Sequence, residues 1–237
     1  MKKVVLFAAA MLFMAFQANA QLTADAGYIH ANENAKITYN KPVSGEEITE
    51  TGKASLDGFY VGAKYGISLY GITEGLSLKP GANVSFLFGK EEGITDVMSL
   101  DSKTTVVEVA LNIPLHVEYA YEVSPDFKVC AFAGPTFQCG LLNRAIDGDQ
   151  NPSYIYNQYK TVPDGLWFKD ALGVAVPAGD LPARNRINLY LGLGVGFEIA
   201  EKVQVNIGYD FGLLNLSSGD KFKIHRNQLK VGLGYIF

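Results

Sequence analysis

Apolar and polar residues alternate along much of the chain, and the alternation is most regular near residue 237. In Asn227–Phe237, apolar side chains from Leu229 onward occupy the odd positions, while Gln228, Lys230 and two glycines occupy even ones. A period of two residues is that of a β-strand with different surroundings on its two faces. The same period predicts strands over 22–31, 59–70, 78–88, 107–121, 127–142, 186–199, 203–212 and 227–237.

The connections between these strands alternate in length. Short turns fall near 71–75, 124–126 and 200–202, whereas loops are predicted over about 32–56, 91–103, 143–185 and 217–226. An even number of antiparallel strands with long loops on one side and short turns on the other is typical of an outer-membrane barrel. We therefore predict an all-β fold for 21–237, an eight-stranded antiparallel up-and-down transmembrane β-barrel.

Two features of the sequence indicate that the apolar face is the outer one. The polar face is rich in glycine, which suits a crowded interior better than a solvent-exposed surface; these glycines are Gly192, Gly194, Gly196, Gly232 and Gly234. Aromatic residues gather at both ends of the apolar face, as in the two interface belts of a membrane barrel. The short-turn belt holds Tyr119, Tyr121, Phe127, Phe197, Tyr235 and Phe237, and the long-loop belt holds Phe59, Phe86, Phe88, Phe137 and Phe211. A soluble ligand-binding barrel would carry its apolar face inward, and it is the less favoured alternative.

The first residues predict an exported protein. Lys2 and Lys3, the apolar run 4–16 and the small residues Ala18 and Ala20 form the pattern of a signal peptide over 1–20. No apolar run beyond it is long enough for a transmembrane helix, so we predict the cell outer membrane as the location.

Charge and cysteine content exclude some partners and chemistry. The formal net charge of −4 becomes −6 without the two lysines of the signal peptide, and no basic patch with interleaved aromatics suggests nucleic acid. Cys130 and Cys139 lie on one predicted strand, about 30 Å apart at the usual rise per residue, so they cannot form a disulfide with each other.

The inward face carries charges of both signs. They are Lys64, Lys79, Lys128, Arg186 and Lys230, with Glu108, Glu118, Glu198 and Asp210. They could line a charged conduit, or they could pair and fill the lumen. An eight-stranded barrel is only wide enough for its own side chains, which favours the paired filler.

Three histidines are the main candidates for chemistry. His116 falls on the polar face and is interpreted as a lumen residue. His30 and His225 lie near the loop ends of strands that become neighbours on closure, where Glu33 or Asp220 could complete a metal or acid–base site. The favoured interpretation is that they are solvated rim residues, and no hydrolase, zinc or P-loop motif is present. We therefore predict no enzyme, no catalytic or metal residues and no cofactor.

Aromatic residues also mark the third predicted loop, at Tyr154, Tyr156, Tyr159, Trp167 and Phe168. They could form an adhesive surface or the small core of the loop itself.

Three prolines interrupt predicted strands. Counting along the strands places Pro80 roughly opposite Pro114, with Pro135 close to Pro114 on the other side. Because proline has no N–H for the ladder, we expect bulges or a widened strand separation there. Such a place could be a harmless bend or a lateral weak point in the wall.

Two segments carry a family resemblance: LNIPLHVEYAYEVSPDFKVCAFAGPTF and VQVNIGYDFGLLNLSSGDKFKIHRNQLKVGLGYIF. The chain resembles the outer-membrane β-barrel domain family common in Bacteroidota, related in form to PorT-like and OmpA/OmpX-like small barrels. The resemblance implies a barrel surrounded by outer-membrane lipid and inserted by the barrel assembly machinery, which would recognise the strand ending in Phe237. It supplies no catalytic motif.

The expected role is non-enzymatic, in surface interaction or envelope integrity through extracellular loops. A narrow porin-like channel or an accessory subunit of a secretion or transport assembly is the alternative, ahead of an outer-membrane enzyme.

Overall fold

The structure is a computed structural model that describes residues 21–40, 47–69, 72–92, 105–146, 167–169, 175–177, 185–217 and 222–237. The predicted signal peptide lies outside the described residues, as do Asp220 and the three tyrosines of the third predicted loop.

Within the described residues, eight long strands form one closed antiparallel barrel, which confirms the predicted fold class. The barrel strands are β1 (Gln21–Asn40), β2 (Glu47–Ser68), β3 (Leu76–Glu92), β4 (Thr105–Ser124), β5 (Phe127–Ile146), β8 (Ile187–Ile199), β9 (Val203–Gly212) and β10 (Phe222–Ile236). Two short strands between β5 and β8, namely β6 (Trp167–Lys169) and β7 (Ala175–Pro177), pair with each other in a separate sheet. No helix long and apolar enough to cross a bilayer occurs in the described part of the chain.

The barrel closes between its first and last strands. β1 pairs with β10 from Thr23 opposite Ile236 to Ile37 opposite Phe222, and with β2 on its other side. Closure leaves no unpaired sheet edge, which is the condition for a sheet to lie in lipid.

The two faces of the wall differ as the alternation predicts. On β8, Leu193 and Val195 point outward and are each 50% exposed, whereas Asn188 points inward and is 1% exposed. The outward apolar band gives way to polar residues at the long-loop ends of β2 and β10, at Asp57 and Asn227. The apolar face is therefore the outer one, and the polar face lines the lumen.

The predicted loop at 32–56 is wrong, because most of it is strand. β1 continues to Asn40 and β2 begins at Glu47, with Asn40 opposite Glu47 in an unbroken register. The outward positions here are polar, as at Lys36 and Lys53, so the apolar outward band is missing while the backbone ladder continues. Pro42, Gly45, Gly52 and several charges in the same stretch predict a loop instead. The predicted loops at 91–103, 143–185 and 217–226 also lose end residues to strand, since β3 reaches Glu92, β5 reaches Ile146 and β10 begins at Phe222.

The three prolines lie close together as predicted, and Pro80 is offset from Pro114 by one residue. Pro80 is opposite Leu115 rather than Pro114, while Pro114 is opposite Thr136 on β5. Pairing is interrupted on both sides of β4, between Pro80 and Asn83 on β3 and between Ala133 and Thr136 on β5.

The bulges and wider spacing expected at the prolines are not seen. The register shifts of the β4–β5 pair fall at Val109/Ala110 and Glu122/Ser124, away from the prolines. The strands also stay close, because a Cβ added at Gly134 would lie 2.2 Å from the carbonyl oxygen of Leu115. The prolines therefore interrupt the ladder without changing the register.

Candidate functional site in the lumen and at the outer rim

The lysines that point into the lumen from the described strands all have carboxylate partners. The N–O distances are 2.9 Å for Lys64–Asp25, 2.5 Å for Lys79–Glu118, 3.5 Å for Lys128–Glu198 and 2.6 Å for Lys230–Asp210. The pairing predicted for the lumen is confirmed for these four lysines. Arg186 was also predicted to point inward, but it precedes β8 and is exposed, because the inward alternation starts only at Asn188.

Lys128 also links the lumen to a short turn. Its ammonium group lies 2.9 Å from a carboxylate oxygen of Glu201, in the turn between β8 and β9. This hydrogen bond lowers the pKa of the Glu201 carboxyl.

The most buried cation of the lumen is one that the sequence analysis did not find. Arg226 on β10 is 1% exposed, and its guanidinium pairs with both Glu33 on β1 and Glu108 on β4. Asn143 donates a further hydrogen bond of 2.8 Å to Glu108. Arg226 lay in a predicted loop, although extending the even-numbered polar positions two residues back from Gln228 would have reached it.

A tyrosine and three amide side chains form a chain of hydrogen bonds along the lumen wall, over the neighbouring strands β8, β5, β4 and β3. Tyr190 donates to Gln138 at 3.0 Å, Gln138 donates to Asn112 at 2.9 Å, and Asn112 donates to Asn83 at 2.9 Å. Each donor meets an acceptor on the next strand, so these buried polar groups are satisfied without water.

Part of the lumen is apolar, which the sequence analysis did not anticipate. A buried cluster on β1 to β4 contains Ile29, Ala31, Leu56, Tyr60, Leu87 and Val106. Leu87 is opposite Glu108 in the register, so the cluster adjoins the carboxylate that Arg226 contacts. An apolar layer beside a paired ionic layer leaves no polar lining for a continuous water path there.

Glycines on the inner face make room for two aromatic side chains. A Cβ at Gly194 would lie 2.3 Å from the Phe132 ring, and one at Gly232 would lie 2.0 Å from the Tyr60 hydroxyl. The predicted crowding of the interior is thus confirmed at these positions, where rings rather than polar chains fill the space.

A small cavity remains beside His116. The His116 ring stacks on Phe132 with 5.2 Å between centroids, and its Nε2 lies 3.2 Å from the Thr136 hydroxyl. The cavity measures about 10 Å³ and is lined by Lys64, Lys79, His116, Glu118, Phe132 and Asn206. That volume suits about one water molecule, and both polar side-chain atoms of Asn206 are buried without a protein partner.

The outer rim holds a separate polar cluster on the outward face. Asp57 on β2 accepts hydrogen bonds from Tyr28 and from His30, the latter at 2.7 Å. His225 does not join it, because it is opposite Asn34, and Glu33 points inward to Arg226. The proposed site of His30, His225 and Glu33 is therefore not assembled. The sequence analysis missed Asp57, which precedes the predicted strand.

The cysteines and the remaining acidic residues do not form a further site within the described residues. Cys130 is buried, Cys139 is half-buried, and both are free thiols. No cluster of three or more His, Cys, Asp or Glu suited to a metal ion occurs in the described ranges.

An apolar outer band, a polar lumen and a closed sheet together define an integral membrane β-barrel. The sequence model of the outer membrane protein beta-barrel domain matches residues 5–237. The chain belongs to this family, and it is an outer-membrane protein.

The chain is similar to several solved structures that are distant in sequence. Neisserial surface protein A is 14% identical, with a TM-score of 0.39, and the match covers 93% of this chain and 98% of that one. Ail of Yersinia pestis, in complex with the heparin analogue sucrose octasulfate, is 11% identical, with a TM-score of 0.39 and coverage of 93% and 100%. OprG from Pseudomonas aeruginosa is 10% identical, with a TM-score of 0.45 and coverage of 92% and 96%. No curated protein sequence gives a significant match.

Proposed function

We propose that this protein is a non-enzymatic outer-membrane barrel with a closed lumen, which acts in surface interaction or envelope integrity through the wall and loops outside the membrane. The observation that carries the proposal is the filled lumen. Arg226 is held between Glu33 and Glu108, and the apolar cluster adjoins it.

The length of the wall supports a role at the cell surface. A strand needs about 9–11 residues to cross a bilayer, whereas β1, β2, β4 and β5 have 20, 22, 20 and 20 residues. On β1 and β2 the excess lies at the long-loop end, where exposed polar residues such as Lys36 and Lys53 replace the apolar band. A continuous sheet thus extends beyond the lipid and can present a rigid surface to partners.

The test is single-channel recording of the refolded full chain in a planar bilayer, with a general porin in the same lipid as the positive control. We expect no current steps of porin size, because the Arg226 ion pairs and the adjoining buried apolar cluster fill the lumen at their level. Porin-sized steps would contradict the closed lumen and favour the channel alternative.

A second experiment addresses the surface role. Removing 37–50 would join Lys36 to Thr51, which are opposite each other in the register, and would shorten the projecting hairpin without touching the membrane part. We expect the shortened barrel to insert normally while a strain expressing it becomes as sensitive to detergent as a strain lacking the protein. Full protection by the shortened barrel would remove this hairpin from the proposed role.

A further inference from the structure

A group of basic side chains lies on the outward face of the wall, beyond the apolar band. Lys36 on β1, Lys53 on β2, and Lys223 and His225 on β10 are all exposed, and we call them the basic face. Lys36 shares its strand face with Tyr28, because both have even numbers on β1, and Tyr28 is opposite Phe59 of the aromatic belt. The basic face is therefore a direct continuation of the lipid-facing surface.

The register concentrates like charges on this face. Lys36 is directly opposite Lys223, and the next row places His225, Asn34 and Lys53 side by side. Like charges directly opposite each other destabilise an antiparallel pair. The arrangement therefore costs stability in the free protein, and an anion bound between the two ammonium groups would relieve that cost.

The structure describes no carboxylate side chain paired with a lysine of the basic face. Among the side chains that the structure describes, no ion pair involves Lys36, Lys53 or Lys223, whereas the lumen lysines all have partners. Asp57, lower on the same surface, already accepts hydrogen bonds from Tyr28 and His30. Glu92 is opposite Lys53 in the register, so an acidic residue lies next to that edge of the basic face. The residues opposite each other at Lys36 and Lys223 are both basic, and this pair is therefore the centre of the face.

The height of the pair indicates what kind of anion it can meet. Lys36 lies six residues beyond His30 at the edge of the apolar band. With about 3.3 Å per residue and a strand tilt of about 40°, it stands about 15 Å above that edge. A phospholipid headgroup layer is only about 5–8 Å deep. A lipid with a phosphorylated saccharide headgroup is large enough to reach the pair from the outer leaflet.

We propose that the basic face binds the phosphate groups of an anionic, saccharide-bearing lipid of the outer leaflet, with Lys36 and Lys223 as the main contacts. Lipid binding by the basic face does not depend on a closed lumen. The conductance test therefore does not decide this proposal, and the binding experiment does not decide whether the lumen is closed.

The experiment measures binding of the full chain, refolded in neutral detergent, to a bis-phosphorylated disaccharide lipid. The test variant is Lys36→Gln with Lys223→Gln, and the matched control is Lys202→Gln, an exposed lysine in the turn at the other end of the barrel. Each lysine near an anionic surface contributes about 1 kcal/mol, so the double variant should raise Kd about 30-fold. Lys202→Gln should leave Kd within about twofold, since it faces the opposite side.

Three further arms separate the sources of phosphate. The dephosphorylated lipid and phosphatidylglycerol should both bind the wild type at least tenfold more weakly, and inorganic phosphate at equal concentration should not displace the lipid. An unchanged Kd in the double variant, an equal loss in Lys202→Gln, or full displacement by inorganic phosphate would overturn the proposal. If the double variant does not show the heat-dependent gel shift of a folded barrel, Lys223→Gln alone should raise Kd about fivefold.

Discussion

Replacing Arg226 with methionine is expected to lower the free energy of unfolding of the barrel by about 3–5 kcal/mol. Methionine fills most of the arginine volume and adapts to irregular surroundings, so packing changes little. The loss comes from the charges: side chains of Glu33 and Glu108 are 7% and 2% exposed, and both would lose the guanidinium that they share. Breaking a buried pair from one side is more costly than removing the whole pair.

The assay is urea unfolding of the protein in lipid vesicles, followed by the gel shift of folded against unfolded barrel. Lys202→Met, the same substitution at an exposed position, should change the free energy of unfolding by no more than about 0.5 kcal/mol. Adding Glu108→Gln to Arg226→Met should restore part of the loss, because it removes one of the two stranded charges. A loss below about 1 kcal/mol for Arg226→Met, or one equal to that of Lys202→Met, would refute this account of the ionic layer.

Three other predictions follow from the same wall. Glu118→Leu should destabilise far more than Glu201→Leu in the same unfolding assay, since it strands Lys79, whereas Glu201 is 62% exposed; equal midpoints would contradict it. Pro114→Val should restore an N–H to the interrupted ladder, slow amide exchange over 111–115 and stabilise the barrel by about 0.5–1.5 kcal/mol; wild-type exchange there as slow as in β8 would rule out a weak point. Phe237→Ser should impair insertion by the assembly machinery, judged by the amount of folded barrel in outer-membrane fractions, and unchanged insertion would remove Phe237 from that role.

The membrane part of the fold was predictable because lipid and lumen impose opposite polarities on the two faces of each strand. Beyond the lipid the outward face becomes polar, so the apolar outward band that marks a membrane strand is missing and charges, Pro42 and glycines predict a loop instead. Residues 32–56 show the effect, since Lys36 and Lys53 are exposed on paired strands while Glu33 and Leu56 are buried inside the barrel. Arg226 was missed for a related reason, because it precedes the regular part of its strand.

Contacts between particular residues were harder to predict from the sequence than which face of a strand points into the lumen. A count of positions across a loop of uncertain length places strands to within about a residue, and a shift of one residue moves Pro80 from Pro114 to Leu115. The polarity pattern also cannot show that Ile29 and Leu87, on strands that are not neighbours, meet in one cluster. The outer-rim contact of His30 with Asp57 depends on the same register.

The seam between β1 and β10 has a consequence for the order of events during folding. It joins the two ends of the barrel, and the contact of Arg226 with Glu33 across it links residues 193 positions apart. Pairings so distant in sequence form late, because the chain between them must already be arranged. An interaction that forms after the rate-limiting step affects the unfolding rate far more than the folding rate. The arginine at the seam is therefore expected to set how long an inserted barrel stays closed rather than how quickly it inserts.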